Sequence, residues 1–469
     1  MYNNSLRTPH FRSAFVFSLL AVLALDTVAV RAASLPAQAP MVVILTVDGL
    51  AAHYFRDPKA NMPTLHKLAE NGAVADGMKA SLPTLTWPNH TTLVTGVSPG
   101  KHGVFGNNYW DRNTEKNVDL LADPVFNKDE IVKVPTIYDV AHAAGLKTAG
   151  INWPASRGAK TLDWATPDVH TDAVFQQYTT PELLKEFKAL DIPYEQLHHF
   201  CETSDYHARD HMNTRMLIHV LKAHQPNLAL LHLMDVDHVE HGTGQRTPEV
   251  YESVTFDDER VKEIWDALEK EFPGRATLIV TSDHGFIDVR QTVQPNVKLR
   301  QAGLLNVDKG KISDRRVFAF AQGGSCFIYI VDKTNRVALT KRVAALFKNV
   351  EGIDQVLQPR DYKTNGLAIP QQDPRMADLV LTAKDGFSFS NNATDDLVVT
   401  AATGKTTGAH GHSPLLPDMS ATFIACGRGI KKGVHLGQID NRDVAPTAAA
   451  LLGLKMKNVE GRVLKEILK

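Results

Sequence analysis

The amino-acid sequence predicts an α/β fold: a mostly parallel sheet flanked by helices, with one small inserted α+β subdomain. Three observations point to it. Met41–Val47, Leu228–Met234 and Thr277–Thr281 are continuous apolar runs, the pattern of strands buried on both faces of a parallel sheet. Amphipathic helical segments alternate with those runs, as where each crossover helix covers the sheet. From about 289 to 404 the texture changes to short, crowded strand-like runs, after which the alternation resumes.

Taken in order, residues 1–33 read as a secretory signal. Arg7 and Arg12 precede an apolar run from Phe15 to Leu25, and Val30-Arg31-Ala32 offers a cleavage site. The run is too short to span a bilayer. Export is therefore expected, to the periplasm in a Gram-negative cell, with no stable membrane anchor after cleavage. The first strand, Met41–Val47, ends at Asp48-Gly49, and a short helix follows from Pro63 to Asn71. Pro83-Thr84-Leu85-Thr86-Trp87-Pro88-Asn89-His90 then opens an apolar helix, with Pro88 suited to its first turn. That places the Thr86 hydroxyl at or just before the N-cap, among free backbone N–H groups that favour an anion. Helices are expected over 135–144, 206–224 and 250–272, each leading into a strand. Residues 34–288 and 405–469 thus form the core, and 289–404 the insertion.

With 469 residues, 43% of them hydrophobic, the chain can bury a large core. A formal net charge of -1 gives no reason to expect a nucleic-acid-binding surface or electrostatic binding to membranes. Three cysteines, Cys201, Cys326 and Cys426, match no zinc module and read as structural.

Twenty histidines invite a search for metal ligands. In open α/β sheets ligands sit beyond the carboxyl ends of the strands. Asp48, Asp237 with His241, Asp283-His284, and His410 all fall at such positions. Each alone has a plain explanation as a turn or a cap. Converging, three carboxylates and three imidazoles suit zinc or a similar divalent ion. The charges favour two ions: +4 from the pair against -3 from the carboxylates and -1 from an ionised Thr86. Such a pair, about 3.5–4 Å apart, can clamp both oxygens of an in-line displacement at phosphorus.

Thr86-Trp87-Pro88-Asn89-His90, His102-Gly103 with Asn107, Asp237 and His241, Asp283-His284-Gly285, and Gly408-Ala409-His410-Gly411 occur in the order seen in the alkaline phosphatase superfamily. The branch they resemble is the type I phosphodiesterase/nucleotide pyrophosphatase family, over about residues 40–465. The resemblance implies an alkaline-phosphatase-like core and two divalent ions, zinc in that family. One would be held by Asp48, Thr86, Asp283 and His284, and the other by Asp237, His241 and His410. It further implies Thr86 as nucleophile, forming a phospho-threonine that water hydrolyses and releasing a nucleoside monophosphate from a small phosphodiester or nucleotide. Asn107 and the Trp87 backbone N–H would face the non-bridging oxygens, and the Trp87 ring would lie against the base.

Leu85 and Gly106 depart from the pattern of animal relatives, and His102 to Asn107 also resembles phosphonoacetate hydrolase. A phosphonate hydrolase and a phosphomonoesterase, with Arg157 as a phosphate-holding group, are thus alternatives. Two other classes compete. His207 and His211 have metalloprotease spacing, but Ala208 stands where the general-base glutamate is required. An exported phosphate-ligand binding protein would need no nucleophile at a metal rim.

Overall fold

Residues 39–121, 126–402 and 405–469 are described in the structure, a computed structural model; the expected export signal lies outside them. Eight strands form the main sheet: β1 (Met41–Val47), β2 (Ala73–Lys79), β3 (Thr148–Trp153), β4 (Trp164–Pro167), β5 (Leu228–Leu233), β6 (Ala276–Thr281), β7 (Phe423–Gly427) and β8 (Val434–Asp440). Their spatial order is β8-β2-β7-β6-β1-β5-β3-β4. All neighbours are parallel except β7, which is antiparallel to both β2 and β6.

The continuous apolar runs have a physical basis in two separate cores. Met41, Val43, Leu45 and Val47 point into one, beside α2 (Tyr206–His224) and α4 (Pro248–Glu271); Val42 and Ile44 point into the other, beside α1 (Thr86–Thr95). Burying each such side chain contributes about 1.5–3 kcal/mol, so neither face tolerates a polar residue without a partner. The edge strand β8 and its neighbour β2 have no such run. Asp76-Gly77 inside β2 reads as a turn, yet Asp76 simply points outward from the strand.

Between Ile287–Val289 and Thr407–Ala409, which pair antiparallel, the chain leaves the main sheet. There it builds a four-stranded antiparallel sheet in the order Val317–Gln322, Ser325–Ile330, Leu379–Ala383, Ile353–Leu357. Helix Arg336–Phe347 covers one face of it. Phe318, Phe320 and Tyr329 on the other face pack with Phe105 and with Trp110 of the short strand Asn108–Asp111. The tight turn at Gly323-Gly324 reaches the rim of the main sheet, where the Gly324 N–H donates to the His410 carbonyl at 2.8 Å. Among the described residues no helix is long and apolar enough to cross a membrane.

Candidate active site and metal centre

At the carboxyl end of β1 the chain turns sharply at Gly49, whose φ of +75° suits glycine; a Cβ there would lie 2.9 Å from the Phe286 ring. This turn leaves Asp48 facing the rim, 2% exposed. One carboxylate oxygen of Asp48 accepts from His232 Nε2 at 2.8 Å, and the other has no hydrogen-bond partner. Asp283 and His284 follow β6. Asp283 lies 3.1 Å from His284 Nε2 and 3.4 Å from His90 Nδ1, and accepts from the Gly49 N–H at 3.3 Å. His284 Nε2 is also 3.4 Å from Asp48.

Asp237 and His241 sit one turn apart on α3 (Asp235–Thr243), which follows β5 directly, with Nε2 3.5 Å from the carboxylate. His410 Nε2 is 3.5 Å from the other oxygen of Asp237, and its ring stacks on His284 at 3.9 Å. Two overlapping trios result, Asp48/Asp283/His284 and Asp237/His284/His410, each with donor atoms within 4.8 Å of one another. Three carboxylates and three imidazoles from four chain segments therefore meet at one rim.

Thr86 is the first residue of α1 rather than its cap; extended Leu85 precedes it and makes no side-chain cap bond. Its hydroxyl is 3.5 Å from His284 Nε2, so capping does not account for it.

The donors fit cations. Asp48 Oδ1, Asp237 Oδ1 and Asp283 Oδ2 are buried without hydrogen-bond partners, which is costly unless a positive charge faces them. Burial, then the charges of Asp283 and Asp237, push the Asp48 carboxyl well up; burial also raises Asp237 against the pull of His241 and His284. Asp283 goes the other way, since His284 and His90 outweigh its burial. Burial lowers His284 and His410, holding both in the neutral form that ligates metals.

Two sequence expectations need correction. The Trp87 N–H does not face the rim: it donates to Asn107 Oδ1 at 2.9 Å. That bond fixes the amide orientation and leaves Nδ2 as its donor end. The Trp87 ring is no stacking platform either. It is 3% exposed, packs with Val104, Ile131 and Val132, and its Nε1–H donates to Asp168 at 3.1 Å. An indole beside an apolar pocket and a buried carboxylate is more stable inside than against a solvated base. Arg157 is also buried, its guanidinium over the Tyr178 ring. His207, partly exposed on α2, lies 3.0 Å from the buried Asp235 at the start of α3.

Sequence reasoning missed the residues behind the ligands. His232, one polar residue in an otherwise apolar strand, holds Asp48, and its Nδ1 lies 3.2 Å from the Asn152 carbonyl. Its isolation within β5 was the available signal. His90 is held by Thr46 Oγ1 at 2.8 Å and the Thr86 carbonyl at 2.9 Å. Thr84 offers its carbonyl to His410 Nδ1 at 3.0 Å. Such partners fix ring orientation and tautomer.

A family model described as type I phosphodiesterase/nucleotide pyrophosphatase matches residues 42–413, spanning every one of these residues. The chain belongs to that family. Mouse ectonucleotide pyrophosphatase/phosphodiesterase family member 3 is 24% identical over 52% of the chain. Venom phosphodiesterase 2 of Crotalus adamanteus is 25% identical over 54% of it. The matched regions span only about a quarter of those relatives' own lengths, 25% and 27%. Among solved structures, murine ectonucleotide pyrophosphatase/phosphodiesterase 5, as an inactive threonine-to-alanine variant in complex with AMP, superposes with a TM-score of 0.69 at 18% identity. The match covers 92% of this chain and 100% of that one. The human counterpart gives 0.69 at 19% identity, with the same coverage. The type I phosphodiesterase fold is thus the fold of this chain.

Proposed function

We propose that the chain hydrolyses phosphodiester or phosphoanhydride bonds, releasing nucleoside monophosphates, with a pair of divalent ions, zinc by donor chemistry. The observation that carries this reading is a non-capping threonine hydroxyl at a rim where three carboxylates each hold a buried oxygen without a hydrogen-bond partner. Asp48, Asp283 and His284 with Thr86 would hold one ion, and Asp237, His241 and His410 the other. When bound, the ions supply positive charge that lowers the pKa of the hydroxyl and offsets phosphate charge. Thr86 Oγ1 forms a bond to phosphorus as the ester or phosphate leaving group departs. Water then cleaves the phospho-threonine, restoring the hydroxyl. Asn107 Nδ2, aimed by its bond to the Trp87 N–H, donates to a non-bridging oxygen. His232 and His90 hold Asp48 and Asp283 in place.

The AMP in the murine neighbour and the names of the venom relatives support a small nucleotide or diester as substrate. The ectoenzyme relatives support export; residues 1–33 would be its periplasmic signal, and 289–404 an insertion whose Gly323-Gly324 turn reaches the rim. The test compares zinc-loaded protein with Thr86→Ala on p-nitrophenyl thymidine monophosphate, p-nitrophenyl phosphate and a p-nitrophenyl phosphonate. The variant should lose roughly three to six orders of magnitude in kcat while keeping its zinc. Unchanged turnover would refute the mechanism, and faster cleavage of the monoester or phosphonate would refute the substrate class.

A further inference from the structure

We propose that Glu186, His219 and His224 form another metal site, for a borderline divalent transition ion of the zinc class. None of the three belongs to the rim described above. Glu186 comes from helix Pro181–Ala189, and both histidines come from the last turns of α2. Their Nε2 atoms converge on a single oxygen, Glu186 Oε2, at 2.6 Å and 2.9 Å. One donor atom from each residue lies within 4.8 Å of the other two.

The rings are fixed by packing, not merely drawn to the carboxylate. His224 stacks on Trp164 of β4 at 4.5 Å with 20° between planes, and His219 meets Phe187 edge-on. Two imidazoles and one carboxylate are the donor set of open zinc sites, with water completing the shell. Imidazole donors disfavour magnesium and calcium. Tetrahedral donors about 2.0–2.1 Å from zinc are separated by roughly 3.3 Å, so the spacings of 2.6 Å and 2.9 Å to Glu186 must open by less than about 1 Å. With side-chain exposures of 21%, 18% and 30%, the group is reachable from solvent. His224 is also the last residue of α2, where the helix dipole favours a cation.

Such an ion would clamp helix Pro181–Ala189 to α2 without touching the chemistry. The test measures bound zinc in dialysed full-length protein by mass spectrometry, comparing wild type with His219→Ala/His224→Ala. Wild type should hold one equivalent more, and its cobalt form should gain visible absorbance that the double variant lacks. His219→Gln, a milder change, guards against misfolding and should weaken cobalt binding at least tenfold. Turnover of p-nitrophenyl thymidine monophosphate should be the same in all three, separating this site from the proposed hydrolysis. Equal zinc content and equal cobalt spectra in wild type and variants would overturn the site and leave the group a hydrogen-bonded cluster.

Discussion

Lowering the pH should destabilise this protein through His102, and the size of the effect can be worked out. His102 is fully buried beneath the loop that presents Asn107. Its Nδ1 accepts from the Val104 N–H at 3.2 Å, so the proton sits on Nε2, which donates to Thr92 Oγ1 at 3.1 Å. Burial lowers its pKa to about 3, from 6.5. Because the folded form resists protonation, the unfolded chain binds the extra proton between those values. Stability from this group is full above about pH 6.5 and is lost progressively as pH falls towards 3. At pH 5 the loss relative to pH 7 is about 2 kcal/mol from the linkage relation. Urea unfolding of wild type and His102→Gln at both pH values isolates it, since other titrating groups cancel in the difference. The variant should be less stable at pH 7, yet lose about 2 kcal/mol less between pH 7 and pH 5. Identical pH dependence in both proteins would refute the assignment of a neutral, buried imidazole.

Three further outcomes are expected. Asn107→Ala should lower kcat roughly 10²–10³-fold with a smaller change in KM, measured on p-nitrophenyl thymidine monophosphate. Arg209→Met should cost on the order of 3–5 kcal/mol in urea unfolding. That guanidinium is buried against Asp168 at 3.3 Å and Asn152 at 2.9 Å, and its loss would leave the buried Asp168 with only the Trp87 indole N–H and no counter-charge. Chelation should lower the melting temperature, and by more as pH rises above the ordinary carboxylate range. Without cations the raised Asp48 and Asp237 carboxyls are destabilising when ionised, so stability falls as pH rises through their folded-state pKa. A melting temperature indifferent to chelator would contradict the cation fit.

Much of the architecture was legible because it depends on period and composition. A strand buried on both faces must be apolar throughout, so β1, β5 and β6 announce themselves, and their ends locate Asp48, Asp237 and Asp283. Helix α2 was legible from end to end for a similar reason. The edge strand β8 and its neighbour β2 were not, because neither shows a continuous apolar run. The antiparallel direction of β7 is likewise a property of pairing, which no local pattern encodes.

By itself, then, the sequence determined which carboxylates, imidazoles and hydroxyl stand at the strand ends, and so which side chains are candidates for one rim. Only the tertiary structure decided what stands behind them: His232 against Asp48, His90 against Asp283, and Asn107 against the Trp87 N–H. It also decided that Trp87 packs inward, and that Glu186 meets two histidines five residues apart, a spacing that shares no helix face. Ligand identity is a matter of residue type and local position. Contacts between residues distant along the chain depend on how separate elements pack, and that is settled only when the chain folds.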